Sequence, residues 1–465
     1  MLTQKLAEFV INTSEATVPA AVIDGARDAL VDTLGCALAG SLDEGSEIAQ
    51  RWVRETGARA QSTVLGTPLM TSPAEAAFAN GLASHALDFD DSLVTLRGHP
   101  TAPMLGAGLA LGEVAGASGK AVLAAISIGL EVGGKIGPAL GAGHYMKGWH
   151  STATVGVFSA TAVAARLWGL TVEQLQTAWG IAASEASGLI RNFGSMTKPF
   201  HAGHAARSAV VAAWLAKNGF TADTHIFDGK NNFFSTYAGE DAVPLESTLK
   251  NLAAPWEMLT PGIYVKRWPC CYCNHRPVGG MFELIKQHNI KADEVDKVRI
   301  GFLPGADTPL IHLDPHTGLE GKFSIEYNAA AALLDGRLTM ETFTDAMVQR
   351  PDIRAYMPKV ERFYIPDKNF YSGVTGYNDI EIVTGRGIFK LHIDRVPGSP
   401  AWPMTPSDRA EKFLDCAGRV LGSAGAGKLF ETAERCGQLA AISELIRATV
   451  PLQTRASEPA EKALA

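Results

Sequence analysis

Apolar residues recur at every third or fourth position along most of the chain up to about residue 260, a period that predicts one helix after another. Val22, Ile23, Ala26, Leu30, Leu34, Ala37 and Leu38 form one such stripe, and Gly40 closes it. The same spacing predicts helices over 72–87, 101–115, 120–140, 152–168, 171–189 and 198–218. The helix from 171 opens with Thr171 and Gln174 placed as a capping box. Near Val265 the pattern changes. Short alternating or β-branched runs at 296–302, 360–365, 377–384 and 387–393 predict strands, with helical pieces at 325–334 and 342–349. Beyond the proline-rich link 397–406, helices return over 407–420 and 428–449. The expected architecture is a large all-α helical domain, discontinuous over 1–264 and 400–465, with a smaller α+β lid domain inserted over 265–399. The last dozen residues are polar and aperiodic and are expected to be loose.

Two apolar runs, 102–112 and 121–130, end at Glu113 and Glu131, short of the ~18 residues a membrane span needs, so both predict buried helices. The first ten residues lack the unbroken apolar core of a signal peptide, which makes a cytoplasmic location the expectation. A net charge of −7 without any basic run argues against a nucleic-acid partner. The 47 glycines, with abundant alanine, favour closely packed helices.

Six cysteines in a chain of this length do not read as a disulfide framework. Cys270-Cys271-Tyr272-Cys273 is too tightly spaced for a zinc knuckle and has no second pair, so no metal is expected. The stretch from Gly422 to Leu429 resembles a phosphate-binding loop, but Leu429 replaces the Mg²⁺-binding hydroxyl and an amphipathic helix precedes it. It reads as a helix-to-helix turn.

Candidate chemistry starts at Thr197-Lys198-Pro199. Thr197 is placed to cap the helix over 198–218, proline costs nothing in a first turn, and Gly219 supplies a left-handed stop. A lysine at the positive end of a helix dipole is disfavoured as a cation, and burial adds to that, so both effects push its pKa toward the range of a general base. The free N–H groups of the same helix start suit a carboxylate. The plain alternative is a lysine pointing into water.

Three other loops carry titratable groups. Asp88, Asp90 and Asp91 fall within four residues, where carboxylates repel one another unless they face different ways or bind something. His99, between Gly98 and Pro100, follows on the same loop. The glycine-flexible stretch 141–150 contains Tyr145 and His150, and 266–276 ends with His275 where the helical part hands over to the α+β part. His201 and His204 lack the spacing of a zinc-binding pair, which leaves capping or packing for at least one of them.

Taken together, an Asp-Phe-x-Asp stretch, Gly-His-Pro, a Trp-His loop, Thr-Lys-Pro-x-His-x-Gly-x-Ala-Ala and a proline followed by a distal histidine resemble the MmgE/PrpD family across nearly the whole chain. That family contains 2-methylcitrate dehydratase, cis-aconitate decarboxylase and iminodisuccinate epimerase. The resemblance implies a helical domain with an α+β lid, a homodimer, and cofactor-free chemistry on small polycarboxylates. It carries active-site positions onto Asp88, Ser92, His99, His150, Lys198 and His275. In details and length the chain is most similar to the epimerase branch, implying interconversion of iminodisuccinate stereoisomers. A lyase of the same family and a non-catalytic carboxylate-binding protein are the alternatives.

All the family reactions labilise a bond beside a carboxylate, and epimerisation further needs a proton carrier on each face of the carbon. Lys198 is the expected carrier on one face. Tyr145 is expected on the other, on this chemical argument and not on the family motif, with His150 as its rival. His99, His150 and His275 would hold carboxylates, Asp88 would orient a histidine, and Ser92 would bond the substrate.

Overall fold

A computed structural model describes residues 1–371 and 375–451; the tail expected to be loose lies largely outside them. The chain is mostly helical, with a small sheet toward its C-terminal end. Helices α1 (Leu2–Asn12), α2 (Ala20–Gly40), α3 (Glu44–Glu55), α4 (Pro73–Ala86), α5 (Thr101–Ala115), α6 (Gly119–Ala139), α7 (Gly156–Trp168), α8 (Val172–Glu185) and α9 (Thr197–Lys217) build the first part. Thr171 and Gln174 make the expected capping box.

The helix expected over 152–168 is broken at Val155, with a single turn, Ser151–Thr154, ahead of α7. α8 stops at Glu185, short of residue 189, because the next backbone is claimed from elsewhere. Gly188 O accepts from His150 N–H at 3.0 Å, and Ile190 N–H donates to Gly148 O at 2.8 Å. These bonds fasten the loop bearing Tyr145 and His150 to the approach of α9.

Small residues let helices cross backbone to backbone. A Cβ on Gly203 of α9 would lie 2.5 Å from the Phe78 carbonyl of α4, and one on Gly106 of α5 would lie 2.7 Å from the Ala77 carbonyl. Although its apolar run 121–130 is short of a span, α6 as a whole is long and apolar enough to cross a membrane by length and composition; 89% of its apolar window is nevertheless buried inside the protein. Its buried charges are paired, Lys135 Nζ lying 2.7 Å from Glu257 Oε1 and 3.3 Å from Glu131 Oε1.

Strands β1 (Val295–Phe302), β2 (Val360–Tyr364), β3 (Asn378–Thr384) and β4 (Gly387–Ile393) form one sheet in the order β2-β1-β3-β4. β2 runs parallel to β1 and the other pairs are antiparallel, with Ile300 opposite Ile380 and Val298 opposite both Val360 and Ile382. Helices α10 (Tyr272–His288) and α11 (Ile325–Asp335) share a core with the sheet's buried isoleucines and valines. The helix expected over 342–349 is two separate turns, because Thr344 is extended and caps the second by accepting from Met347 N–H.

The last long helix, α12 (Pro406–Glu434), returns to the first core through Phe413, Ala417, Leu429 and Ala433. Gly422, at φ 66° and ψ 167°, kinks it, so the phosphate-loop look-alike is a bend between two helical halves. Ile190 and Phe193, just ahead of α9, belong to the second core. The first turn of α9 thus stands where the two cores meet.

Candidate active site

The loop between α4 and α5 separates its three carboxylates by giving each a different partner. Asp88, in a left-handed conformation at φ 52°, turns Oδ1 toward Lys198 Nζ at 2.6 Å and Lys266 Nζ at 3.0 Å. Asp90 takes His85 Nδ1 at 2.8 Å and lies 3.3 Å from His99 Nδ1, an ion-pair distance without hydrogen-bond geometry. Asp91 accepts from Thr101 at the start of α5, from Oγ1 at 2.5 Å and from the backbone N–H at 3.3 Å. The histidine-orienting carboxylate is therefore Asp90 and not Asp88, whose Oδ1 stays 3.6 Å from His99 Nε2. The reason is competition: two ammonium groups hold Asp88 more strongly than a neutral imidazole would.

Lys198 is 4% exposed and sits at the second position of α9. Thr197 does not cap the helix; it is already helical, Met196 takes the flanking position, and Ser195 Oγ accepts Thr197 N–H at 3.3 Å. The Lys198 amine also lies 2.8 Å from His85 Nε2, and Phe193 and Phe323 flank it at 5.1 and 5.3 Å from their ring centroids. Burial pushes its pKa below the ordinary lysine value, the Asp88 carboxylate opposes that, and the neighbouring Lys266 ammonium adds to it. Despite its burial, Asp88 is held well below the usual carboxylate range by these two lysines. The expected downward shift of Lys198 is there, but inside an ion pair. His85 is driven to about 3 by burial, so its imidazole is neutral. With Nδ1–H donated to Asp90, its Nε2 accepts from Lys198.

Asp88, Ser92, His99, Tyr145, His150 and Lys198 line one cavity of about 460 Å³ at the junction of the two cores. Ser92 is fixed by paired backbone hydrogen bonds with Tyr264, each 2.9 Å. His99 is held by its N–H to Thr152 Oγ1 at 3.0 Å, and His150 by His201, Nδ1 to Nδ1 at 3.0 Å. One ring of that last pair carries the proton at Nδ1 and the other accepts it. Burial lowers the pKa of both His99 and His150. Packing is thus a partial account of His201, which aims a cavity residue.

Two candidates take other roles. His275 is fully buried and is not among the residues lining the cavity; its Nε2 accepts Trp268 N–H at 3.2 Å and its Nδ1 faces the Cys271 carbonyl at 3.3 Å. It braces the link into α10, and a carboxylate-holding role finds no support in that geometry. Tyr145 does line the cavity, but burial raises its pKa well above the ordinary phenol value, which suits a proton donor and not the second base.

His85, Asp90 and Lys266 lie in loops that the sequence marks but does not assign a role, and Arg97 carries no such mark. Lys266 Nζ also bonds the Asp88 carbonyl at 2.8 Å, and Lys412 Nζ of α12 bonds the Phe89 carbonyl at 2.8 Å and Asp32 Oδ1 at 2.8 Å. Donor atoms of His85, Asp88, Asp90 and His99 lie within 4.8 Å of one another, a spacing that suits a metal ion. Both nitrogens of His85 and one oxygen of Asp88 are already engaged, however, with the Lys198 amine bridging the two residues. Among the described residues this cluster reads as a site whose cation is an ammonium.

The MmgE/PrpD N-terminal domain matches residues 4–246 and the MmgE/PrpD C-terminal domain matches residues 268–436. The chain belongs to the MmgE/PrpD family. Cis-aconitate decarboxylase of Homo sapiens is 28% identical over 457 residues, covering 94% of this chain and 93% of that protein. The Mus musculus decarboxylase is 28% identical over 445 residues, covering 92% and 88%. A probable 2-methylcitrate dehydratase of Saccharomyces cerevisiae is 27% identical over 388 residues, covering 74% and 72%. These similarities favour the lyase alternative over the epimerase expectation.

Proposed function

We propose that the chain is a cofactor-independent lyase that removes CO₂ from a small unsaturated polycarboxylate, as its similarity to cis-aconitate decarboxylases suggests. The observation that carries this reading is the Lys198 amine, buried in the cavity wall between ionised Asp88 and neutral His85. Decarboxylation breaks the C–C bond to one carboxylate, releases CO₂, and sends the electron pair into the adjacent unsaturated system. A proton must then reach the carbon where that pair emerges. Lys198 as ammonium supplies it, and a depressed pKa makes the ammonium a better acid. Leu93, Val94, Phe193 and Phe323 in the cavity wall keep water from the departing carboxylate, favouring conversion of a charged group into neutral CO₂. His99 and His150 bind the carboxylates that remain, and Ser92 bonds the substrate.

Epimerisation of iminodisuccinate is the second reading, favoured by one observation: the neutral imidazole of His150 lines the same cavity as Lys198 and could serve the opposite face. Incubation in D₂O with cis-aconitate, 2-methylcitrate and iminodisuccinate, followed by NMR, separates the readings. The expected result is CO₂ release with one deuteron in the product. Deuterium entering intact iminodisuccinate would support the epimerase, water loss from 2-methylcitrate a dehydratase, and silence toward all three would overturn a catalytic role on these acids.

A further inference from the structure

The cavity holds a second cation that the proposed chemistry leaves unused. Arg97 lines it, half-buried, on the short loop from Ser92 to His99. That loop is rigid: Leu93 N–H donates to Gly98 O at 3.0 Å, Arg97 N–H donates to Leu93 O at 2.9 Å, and Leu96 is buried in the first core. Arg97 adopts φ 57°, a left-handed conformation that is unfavourable for a side-chain-bearing residue and that glycine would adopt freely. The conformation points to a role for the side chain.

The guanidinium donates one N–H to the Gly141 carbonyl, which anchors it to the loop carrying Tyr145. Among the described residues no carboxylate lies within ion-pair distance of it, whereas Lys198, Lys266 and Lys412 at the core junction each have a carboxylate partner. Burial alone lowers its pKa, and the one titratable group acting against that is Tyr145. A half-buried guanidinium with one neutral acceptor retains donors in the fork geometry that matches a carboxylate, and it lacks a counter-ion.

We propose that Arg97 is a carboxylate-binding subsite of this cavity, taking a carboxylate of the substrate other than the one beside Lys198, and that it selects polycarboxylates over monocarboxylates. The inference rests on the polycarboxylate reading above and names the residue that enforces it. The ligand itself is the missing counter-ion. Arg97 is a binding residue on this account, so its loss weakens binding in proportion to the carboxylates a ligand offers.

The test uses calorimetric titration of the full chain with tricarballylate, the saturated propane-1,2,3-tricarboxylate, which needs no turnover to be read, and with butyrate as the monocarboxylate control. Arg97→Met is expected to weaken tricarballylate about 10- to 100-fold, the worth of a charge-assisted hydrogen bond pair, while leaving butyrate unchanged. Arg97→Lys should recover part of the loss, and unchanged thermal melts of both variants separate lost binding from lost folding. Equal tricarballylate affinity in wild type and Arg97→Met would overturn the subsite and leave the lyase reading standing. Tight binding that depends on Arg97, in a protein that turns over none of the three acids, would support the subsite and overturn the lyase. A wild type that does not bind tricarballylate would overturn the subsite, and CO₂ release from cis-aconitate decides the lyase reading separately.

Discussion

The Lys198 amine lies 2.8 Å from His85 Nε2, and Asp90 lies 2.8 Å from the same imidazole's Nδ1. This fixes the tautomer of His85 and gives the amine a neutral acceptor beside its ionic partner. Lys198→Ala is expected to lower turnover ~10²–10⁴-fold, the usual worth of a positioned acid or base. Full turnover in that variant would sink the mechanism.

His85→Ala tests the positioning role separately. Without the acceptor the ammonium form of Lys198 is less favoured, so the alkaline limb of the kcat profile should move to lower pH, with kcat about 10-fold down and KM little changed. An unmoved limb with unmoved kcat would mean that His85 only fills space.

Tyr145→Phe discriminates between the two readings. Burial already holds the phenol protonated. Decarboxylase activity should therefore persist within a few-fold, measured as CO₂ release, about what loss of one neutral hydrogen bond allows. A collapse of activity with deuterium exchange abolished on one face of iminodisuccinate would restore the two-base scheme.

Stability should fall toward both ends of the pH range. His85 and His144 are pushed down to about 3 and His201 to about 4, all mainly by burial, from an ordinary value of 6.5. Between those limits the unfolded chain binds more protons, so their contribution is intact above pH 6.5 and is lost progressively as pH falls toward 4 and then 3. Asp91 works in the opposite sense. Burial raises it from 3.8 to about 8, so its contribution is full below 3.8 and is lost as pH rises through about 8. Urea unfolding from pH 4 to 9 should show both slopes, and Asp91→Asn should flatten the alkaline one. An unchanged alkaline slope in that variant would exclude Asp91 as its source.

Gly203→Ala tests how the fold sets the site. The added methyl would meet the Phe78 carbonyl at 2.5 Å, forcing α9 away from α4. The expected cost is about 1–3 kcal/mol by chemical denaturation, with a further loss of kcat because Lys198 and His85 ride on those two helices. A variant of wild-type stability and activity would show that the crossing has slack.

The sequence by itself determined most of the long helices of the first part and the four strands of the sheet, because burying one face imposes a period of 3.6 or 2 that neighbouring residues reveal. It marked the loop with three aspartates, the Tyr145–His150 loop and the lysine opening α9, since local composition departs there from what packing alone requires. Only the tertiary structure decided the pairings. Lys198 meets Asp88 and His85 across 110 and 113 residues, and Lys266 takes its place beside Asp88 across 178. It also withdrew His275 from the cavity and ended α8 early, through contacts with segments remote in the chain. Which carboxylate orients a histidine and which holds a lysine depends on distances of a few ångströms between separate elements, and a one-dimensional pattern does not contain them.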